Sequence, residues 1–228
     1  MEDRITRRGS LVRLGGFFAT ALAAGGWRAA ASESPSGPAG VASGAVKCVL
    51  TPELTEGPYY LPNEKVRRNI TEGRPGTPFT LRTTVVDAST CKVIRGAAVD
   101  VWHCDAVGVY SGVQQSVGTT FMRGIQKTKA NGVATFQTVY PGWYMGRAVH
   151  IHVKVHLGGT VVHTGQLFFP DTLTDAVYKR APYNSRGPRD TRNANDSIYR
   201  NGGSKGMLSL RKSGSGYVGT ITMGVHRS

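Results

Sequence analysis

Apolar and polar residues alternate along Arg147-Ala-Val-His-Ile-His-Val-Lys-Val, a period typical of a β-strand with one buried face. Shorter stretches rich in Val, Thr, Tyr and Phe, separated by turn residues, have the same character. The predicted strands are 79–87, 97–104, 133–138, 149–157, 160–169, 207–210 and 217–225. Residues 105–124 are predicted to be a Gly-rich loop and 175–180 a single helical turn. This pattern predicts an all-β sandwich or barrel with little helix.

The two histidines of the alternating stretch are two positions apart. Successive side chains of a strand point to opposite faces, so His150 and His152 are expected on the same face. Two neutral imidazoles side by side suit a metal ion such as Fe, Zn or Cu. The alternative is two polar side chains on a solvated strand face.

The first 31 residues have the features of a twin-arginine export signal. Thr6-Arg7-Arg8-Gly9-Ser10-Leu11-Val12 precedes a short, mildly apolar stretch, and Ala29-Ala30-Ala31 offers small residues for cleavage. Residues 32–46 are rich in Ser, Gly and Pro and are predicted to be a flexible linker. The expected organisation is therefore an exported protein with one domain at 47–228 and no membrane span after processing.

The formal net charge of +14 raises the question of a nucleic-acid partner. The basic residues are scattered, without a Lys/Arg-rich run or interleaved stacking aromatics, so we expect no nucleic-acid partner.

Of the three cysteines, Cys91 and Cys104 are expected at opposite ends of one strand, roughly 20 Å apart, too far for a disulfide. Cys48 is then one partner, and Cys48–Cys91 is the favoured pair.

Two tyrosines add to the histidine pair. Tyr144 leaves a Pro-Gly turn six residues before His150, and Tyr110 follows a strand. A phenolate is a hard ligand that prefers Fe(III) to Zn(II) or Cu(I). A half-buried ring under a polar hydroxyl is the common alternative for any single tyrosine.

Several ordered motifs closely resemble those of the intradiol ring-cleavage dioxygenases, the family of the catechol, hydroxyquinol and protocatechuate dioxygenases. The motifs are Thr55-Glu56-Gly57-Pro58-Tyr59-Tyr60, Trp102 with Gly108-x-Tyr110, Phe136-x-Thr138-x-x-Pro141-Gly142-x-Tyr144, Arg147-x-x-His150-x-His152, and Gln166. The resemblance covers about 48–170 and fades afterwards.

The resemblance implies a β-sandwich of two mixed sheets and Fe(III)-dependent cleavage of catechol-type rings by O2, giving cis,cis-muconate-type products. The implied ligands of a non-haem Fe(III) are Tyr110, Tyr144, His150 and His152. The implied catalytic residues are Arg147, Tyr144 and Gln166. Substrate would be bound by Tyr59, Tyr60, Arg147 and Gln166.

The chain departs from the family pattern at Arg147-Ala148-Val149-His150, where Arg-Pro-Ala-His is usual, and at His103-Cys104. The N-terminal helical region through which catechol dioxygenases dimerise has no counterpart here, since 1–46 is predicted to be signal and linker. His103 is interpreted as a hydrogen-bonded strand histidine or as a residue behind the metal ligands, and His163 as a neighbour of Gln166. Two alternatives stay open: a secreted, non-catalytic prealbumin-like binding module, and a secreted Cu or Zn site formed by His150, His152 and His163.

Overall fold

Eight β-strands form two four-stranded sheets in residues 50–62 and 64–227, the part of the chain that the computed structural model describes. The strands are β1 (Pro78–Asp87), β2 (Ala98–Trp102), β3 (Arg123–Lys127), β4 (Val133–Val139), β5 (His150–Leu157), β6 (Thr160–Phe168), β7 (Ser209–Ser213) and β8 (Gly216–Val225). Two short α-helices, α1 (Asp171–Val177) and α2 (Ser197–Arg200), lie between β6 and β7. Single 3-10 turns occur at Gln114–Ser116, Tyr183–Arg186, Asn193–Asn195 and Gly203–Gly206.

One sheet has the order β4-β1-β8-β7 and the other β3-β2-β5-β6. In the first sheet β1 pairs parallel with β8 and antiparallel with β4, so this sheet is mixed. The three pairings of the second sheet are all antiparallel. The predicted all-β sandwich is therefore confirmed. The expectation that both sheets are mixed is wrong for the sheet that contains the histidines.

The core lies between the two sheets because alternate residues of each strand point inward. On β5 these residues are Ile151, Val153 and Val155, all completely buried. They pack against residues of the opposite sheet such as Phe79, Leu81, Val85, Phe136, Met223 and Val225.

The outward face of β5 is also buried, which the alternating pattern does not predict. A chain segment that includes residues 51–62 and 64–66 crosses this face. Its Leu54 amide donates to the Thr164 carbonyl at 3.0 Å, and its Lys65 carbonyl accepts from the Ile125 amide at 2.9 Å. His150 and His152 therefore lie in an enclosed space, not on a solvated face.

Several elements differ from the sequence prediction, including strand β7, which covers Ser209–Ser213 where 207–210 was predicted. Strand β3 occupies part of what was predicted as loop; its residues Arg-Gly-Ile-Gln-Lys include one large apolar side chain and give no alternation. Helix α1 begins four residues before the predicted turn.

Cys91 is disulfide-bonded, and Cys104 is free and buried. The predicted partner Cys48, the export signal at 1–31 and the linker at 32–46 lie outside the described residues. None of the helices in the part of the chain that the structure describes has the length and apolar character needed to cross a membrane.

Candidate active site

The two histidines of β5 point their Nε2 atoms toward each other. Their Nε2 atoms are 3.0 Å apart, and both side chains are almost completely buried. The Nδ1 atom of His150 lies 2.6 Å from the Ala148 carbonyl oxygen. A carbonyl only accepts, so Nδ1 of His150 carries the proton and its Nε2 presents a lone pair toward His152.

Both predicted tyrosines converge on the same point. The Tyr144 hydroxyl is 3.1 Å from Nε2 of His150. The Tyr110 ring meets the Tyr144 ring edge-on with centroids 5.5 Å apart, and it lies 6.3 Å from the His152 ring. The Tyr110 hydroxyl is buried and has no hydrogen-bond partner of normal length among the described residues. A buried hydroxyl without a partner is costly and calls for a missing bonding partner.

The two tyrosines meet because the turns that carry them touch along their backbones. The Gly142 amide donates to the Asp105 carbonyl at 2.9 Å. A Cβ atom at Gly142 would lie 2.6 Å from the carbonyl oxygens of both Asp105 and Ala106, a distance at which the turns would be forced apart. Glycine is therefore required here, and the Pro141-Gly142 turn brings Tyr144 next to Tyr110.

Burial dominates the electrostatics of these four groups. It lowers the pKa of His150 to about 3, helped by the charge of Arg147. The pKa of His152 is likewise lowered well below its ordinary value by burial and then by His150. Burial raises the pKa of Tyr144 to about 12, against the opposing charge of Arg147. It raises the pKa of Tyr110 well above the ordinary tyrosine value, with Tyr144 adding to the effect.

Arg147 lies beside the Tyr144 hydroxyl, held by three partners. Its Nε donates to Asp196 Oδ2 at 2.9 Å, and its terminal nitrogens donate to Gln166 Oε1 at 2.5 Å and Tyr144 Oη at 3.4 Å. Gln166 is opposite His152 in the β5–β6 pairing and donates through Nε2 to the Thr55 carbonyl at 2.9 Å. The structure thus brings Arg147 and Gln166 to the cluster, as the sequence predicts.

Tyr59 and Tyr60 lie over the cluster, carried by the segment that crosses β5. The Tyr59 ring stacks on Tyr110 with centroids 4.5 Å apart, and the Tyr60 ring packs on Trp102 at 4.9 Å. Trp102 in turn stacks on the His152 ring, at 4.9 Å and within 5° of parallel. Both tyrosines are therefore at the site, Tyr59 against a proposed ligand and Tyr60 one ring farther away.

The remaining histidines are not part of the cluster. His103 is buried, with Nδ1 2.7 Å from the Cys104 carbonyl oxygen and Nε2 2.8 Å from Thr138 Oγ1, as expected for a hydrogen-bonded structural histidine. His163 pairs with Val155, which is three residues from His152 along β5. Residues an odd number apart on a strand point to opposite faces, so His163 lies on the other face of the sheet. Its Nδ1 is 3.3 Å from Glu53 Oε1. The hypotheses that place His163 beside Gln166, or make it the third ligand of a Cu or Zn site, are therefore wrong.

Comparison with known proteins gives the same family as the motifs. A family model described as Dioxygenase matches residues 55–181. An intradiol ring-cleavage dioxygenase from Tetranychus urticae is 34% identical, with a TM-score of 0.74 over 78% of this chain and 95% of that one. The chain belongs to the intradiol ring-cleavage dioxygenase family. The family predicted from the motifs is thus confirmed.

Two further dioxygenases extend the comparison. The dioxygenase domain of a dioxygenase–carbohydrate-binding protein fusion from Streptomyces sp. SirexAA-E is 30% identical, with a TM-score of 0.63 over 78% of this chain and 99% of that domain. A chlorocatechol 1,2-dioxygenase from Cupriavidus pinatubonensis is 29% identical over 152 residues, 55% of this chain and 57% of that protein. The chain spans about half the length of the curated relatives it matches.

Intradiol dioxygenases typically use non-haem Fe(III), and the donors of this chain fit that ion. Two neutral imidazoles and two phenols, one with an unpartnered buried hydroxyl, converge within hydrogen-bond distance or ring contact. Hard phenol oxygens with imidazole nitrogens suit Fe(III) better than a softer ion. Among the described residues no cluster of three or more His, Cys, Asp or Glu side chains offers a competing metal site.

Sequence reasoning missed Asp196. Its carboxylate, completely shielded from solvent, accepts from Arg147 and from the Ala148 amide at 2.8 Å, and its other oxygen caps helix α2. Burial opposes its charge, but the Tyr199 and Ala148 amides and Arg147 together lower its pKa. A helix cap could be read from Asp196-Ser197, whereas a contact across 49 residues leaves no local pattern.

Proposed function

We propose that this protein is an Fe(III)-dependent intradiol dioxygenase that cleaves catechol-type rings with O2 and gives cis,cis-muconate-type products. The observation that supports this most is the convergence of His150, His152 and Tyr144 beside the buried, unpartnered hydroxyl of Tyr110. A buried donor set of this composition has no evident structural purpose, and a hard metal ion would satisfy all four groups.

Tyr110, Tyr144, His150 and His152 would hold the iron through their phenol oxygens and Nε2 atoms. Bound Fe(III) would supply Lewis acidity toward both oxygens of a catechol and would draw charge from its ring. The Ala148 carbonyl keeps the proton of His150 on Nδ1, which leaves Nε2 free to bind the metal.

Tyr144 is the residue proposed for proton transfer, and Arg147 is the residue proposed to stabilise charge on the substrate. As an iron ligand Tyr144 would be a phenolate, and its Oη is the proposed acceptor of a catechol proton because it lies at the edge of the cluster and faces Arg147. The guanidinium of Arg147 would stabilise the negative charge that develops on the substrate ring. Asp196 and Gln166 hold that guanidinium in place from two sides before substrate arrives.

Gln166, Tyr59 and Tyr60 would shape the substrate site. Gln166 joins Arg147 to the Thr55 carbonyl and so ties the catalytic side of the site to the segment above it. Tyr59 stacks on Tyr110 and offers an aromatic surface to a flat ring. The relatives named for catechol-type rings make such a ring the expected substrate class.

Oxygen uptake tests the proposed function directly. The purified, iron-supplied protein would be assayed with catechol, hydroxyquinol and protocatechuate while the ultraviolet spectrum of the product is recorded. Uptake matched by formation of a muconate-type product supports the proposal. A protein that holds iron but consumes no oxygen with any of them would favour the non-catalytic binding module.

We also propose that the protein is exported through its twin-arginine sequence. Replacing Arg7 and Arg8 together by Lys should retain the protein in the cytoplasm. Cell fractionation with an antibody against the chain measures this, and unchanged export of the double variant would contradict it.

A further inference from the structure

We propose that residues 186–196 form a brace that fixes the Tyr144 turn (143–148), and that Arg186 and Asp190 are positioning residues of the site. The brace lies beyond residue 181, where the family match ends. Its effect on a metal ligand rests on the proposed function, whereas its effect on the turn does not.

The turn has little internal structure to hold it. Within it, one backbone hydrogen bond runs from the Arg147 amide to the Tyr144 carbonyl, at 3.3 Å. Met145 and Gly146 are exposed, and Gly146 has φ +79, a conformation that favours glycine. A turn of this kind is expected to move unless other parts of the chain fix it.

Arg186 fixes the start of the turn. Its guanidinium lies over the Trp143 ring, 4.3 Å from the centroid, and donates to the Trp143 carbonyl. It also fills the space beside Gly108, where an added Cβ atom would collide with both the guanidinium and the Trp143 carbonyl. Arg186 therefore touches the turn of Tyr144 and the turn of Tyr110 at once.

Asp190 fixes the middle of the turn, and Asp196 fixes its end. The Gly146 amide donates to the Asp190 carboxylate, at 3.1 Å to Oδ2 and 3.3 Å to Oδ1. The Ala148 amide donates to Asp196. The brace thus holds the turn on both sides of Tyr144, so the position of the Tyr144 hydroxyl depends on residues that make no contact with it.

Hydrogen exchange followed by mass spectrometry tests the brace on the purified protein. Arg186→Ala and Asp190→Ala should each raise the exchange rate of the amides in 143–149 by about fivefold to tenfold, as expected for the loss of one hydrogen bond. Asp190→Asn keeps an acceptor oxygen and should exchange like the wild type. Arg192→Ala is the matched control, because Arg192 lies in the same segment but pairs with Asp175 on helix α1.

The tyrosinate–Fe(III) absorption band is the second readout. In both alanine variants the band should shift or weaken, while Asp190→Asn and Arg192→Ala keep the wild-type spectrum. The brace would be overturned by unchanged exchange in either alanine variant, by an equal rise in Arg192→Ala, or by Asp190→Asn exchanging as fast as Asp190→Ala. Faster exchange with an unaltered band would overturn the positioning role. A wild type without iron would refute the proposed function, and the exchange data would still decide on the brace.

Discussion

Replacement of Arg147 by lysine separates its proposed catalytic role from its structural one. The guanidinium reaches Asp196, Gln166 and Tyr144 at the same time. A lysine keeps a positive charge near the buried Asp196 carboxylate. A single ammonium group cannot also make the hydrogen bonds that the planar guanidinium donates to Gln166 and Tyr144. We therefore expect a folded, iron-containing Arg147→Lys protein with impaired turnover.

The expected losses of turnover and of stability follow from the interactions that each substitution removes. Loss of one preorganised donor to a developing charge costs about 3 kcal/mol, on the order of 10²-fold in kcat. Arg147→Ala should show the same loss of turnover. It also leaves the Asp196 carboxylate buried without its cation, which should lower the free energy of unfolding by about 3–5 kcal/mol. Lysine should avoid most of that second loss.

Steady-state oxygen uptake and urea unfolding of the wild type and both variants test this separation. The expected result is a similar fall in kcat for Lys and Ala, with a large loss of stability in Ala alone. Wild-type turnover in Arg147→Lys would refute a role for the guanidinium geometry. Equal destabilisation of the two variants would show that charge near Asp196 is not what stabilises the fold there.

Three further predictions concern single side chains. His152→Ala should lose iron, measured by metal analysis, yet keep the circular dichroism of a folded β protein, because the inward face of β5 is untouched; normal iron content would show that His152 is not a ligand. Tyr144→Phe should retain more iron than His152→Ala but lose most turnover, and full activity would remove Tyr144 from proton transfer. Burial, and then the charge of Glu64, raises the pKa of buried Asp100 to about 7. The native state then holds this proton more tightly than the unfolded chain, so the free energy of unfolding should fall by up to about 4 kcal/mol between about pH 4 and pH 7. Urea unfolding across this range should show a flatter dependence in Asp100→Asn, and an unchanged slope would contradict the assignment.

The fold was predictable where strands alternate and bury one face. Strand β5 begins one residue after its predicted start and ends at its predicted end, although both of its faces are buried. Strand β3 escaped prediction because its position depends on pairing with β2, with Trp102 opposite Arg123, and not on its own composition.

The candidate site was predictable where its residues form a motif of fixed spacing in the sequence. Tyr144, Arg147, His150 and His152 lie within nine residues, and the structure brings all four together. Arg186, Asp190 and Asp196 come from an irregular region and act through contacts across more than 40 residues. Such contacts follow from the packing of turns against one another, which no local pattern encodes.

Metal content measured together with the visible absorption spectrum of the purified, iron-supplied protein tests the central claim most directly. The convergence of Tyr110 and Tyr144 on two histidines predicts about one Fe per chain and a red-brown colour from tyrosinate–Fe(III) charge transfer. A colourless protein carrying stoichiometric zinc, or bound iron without a visible band, would contradict a tyrosine-ligated Fe(III) site.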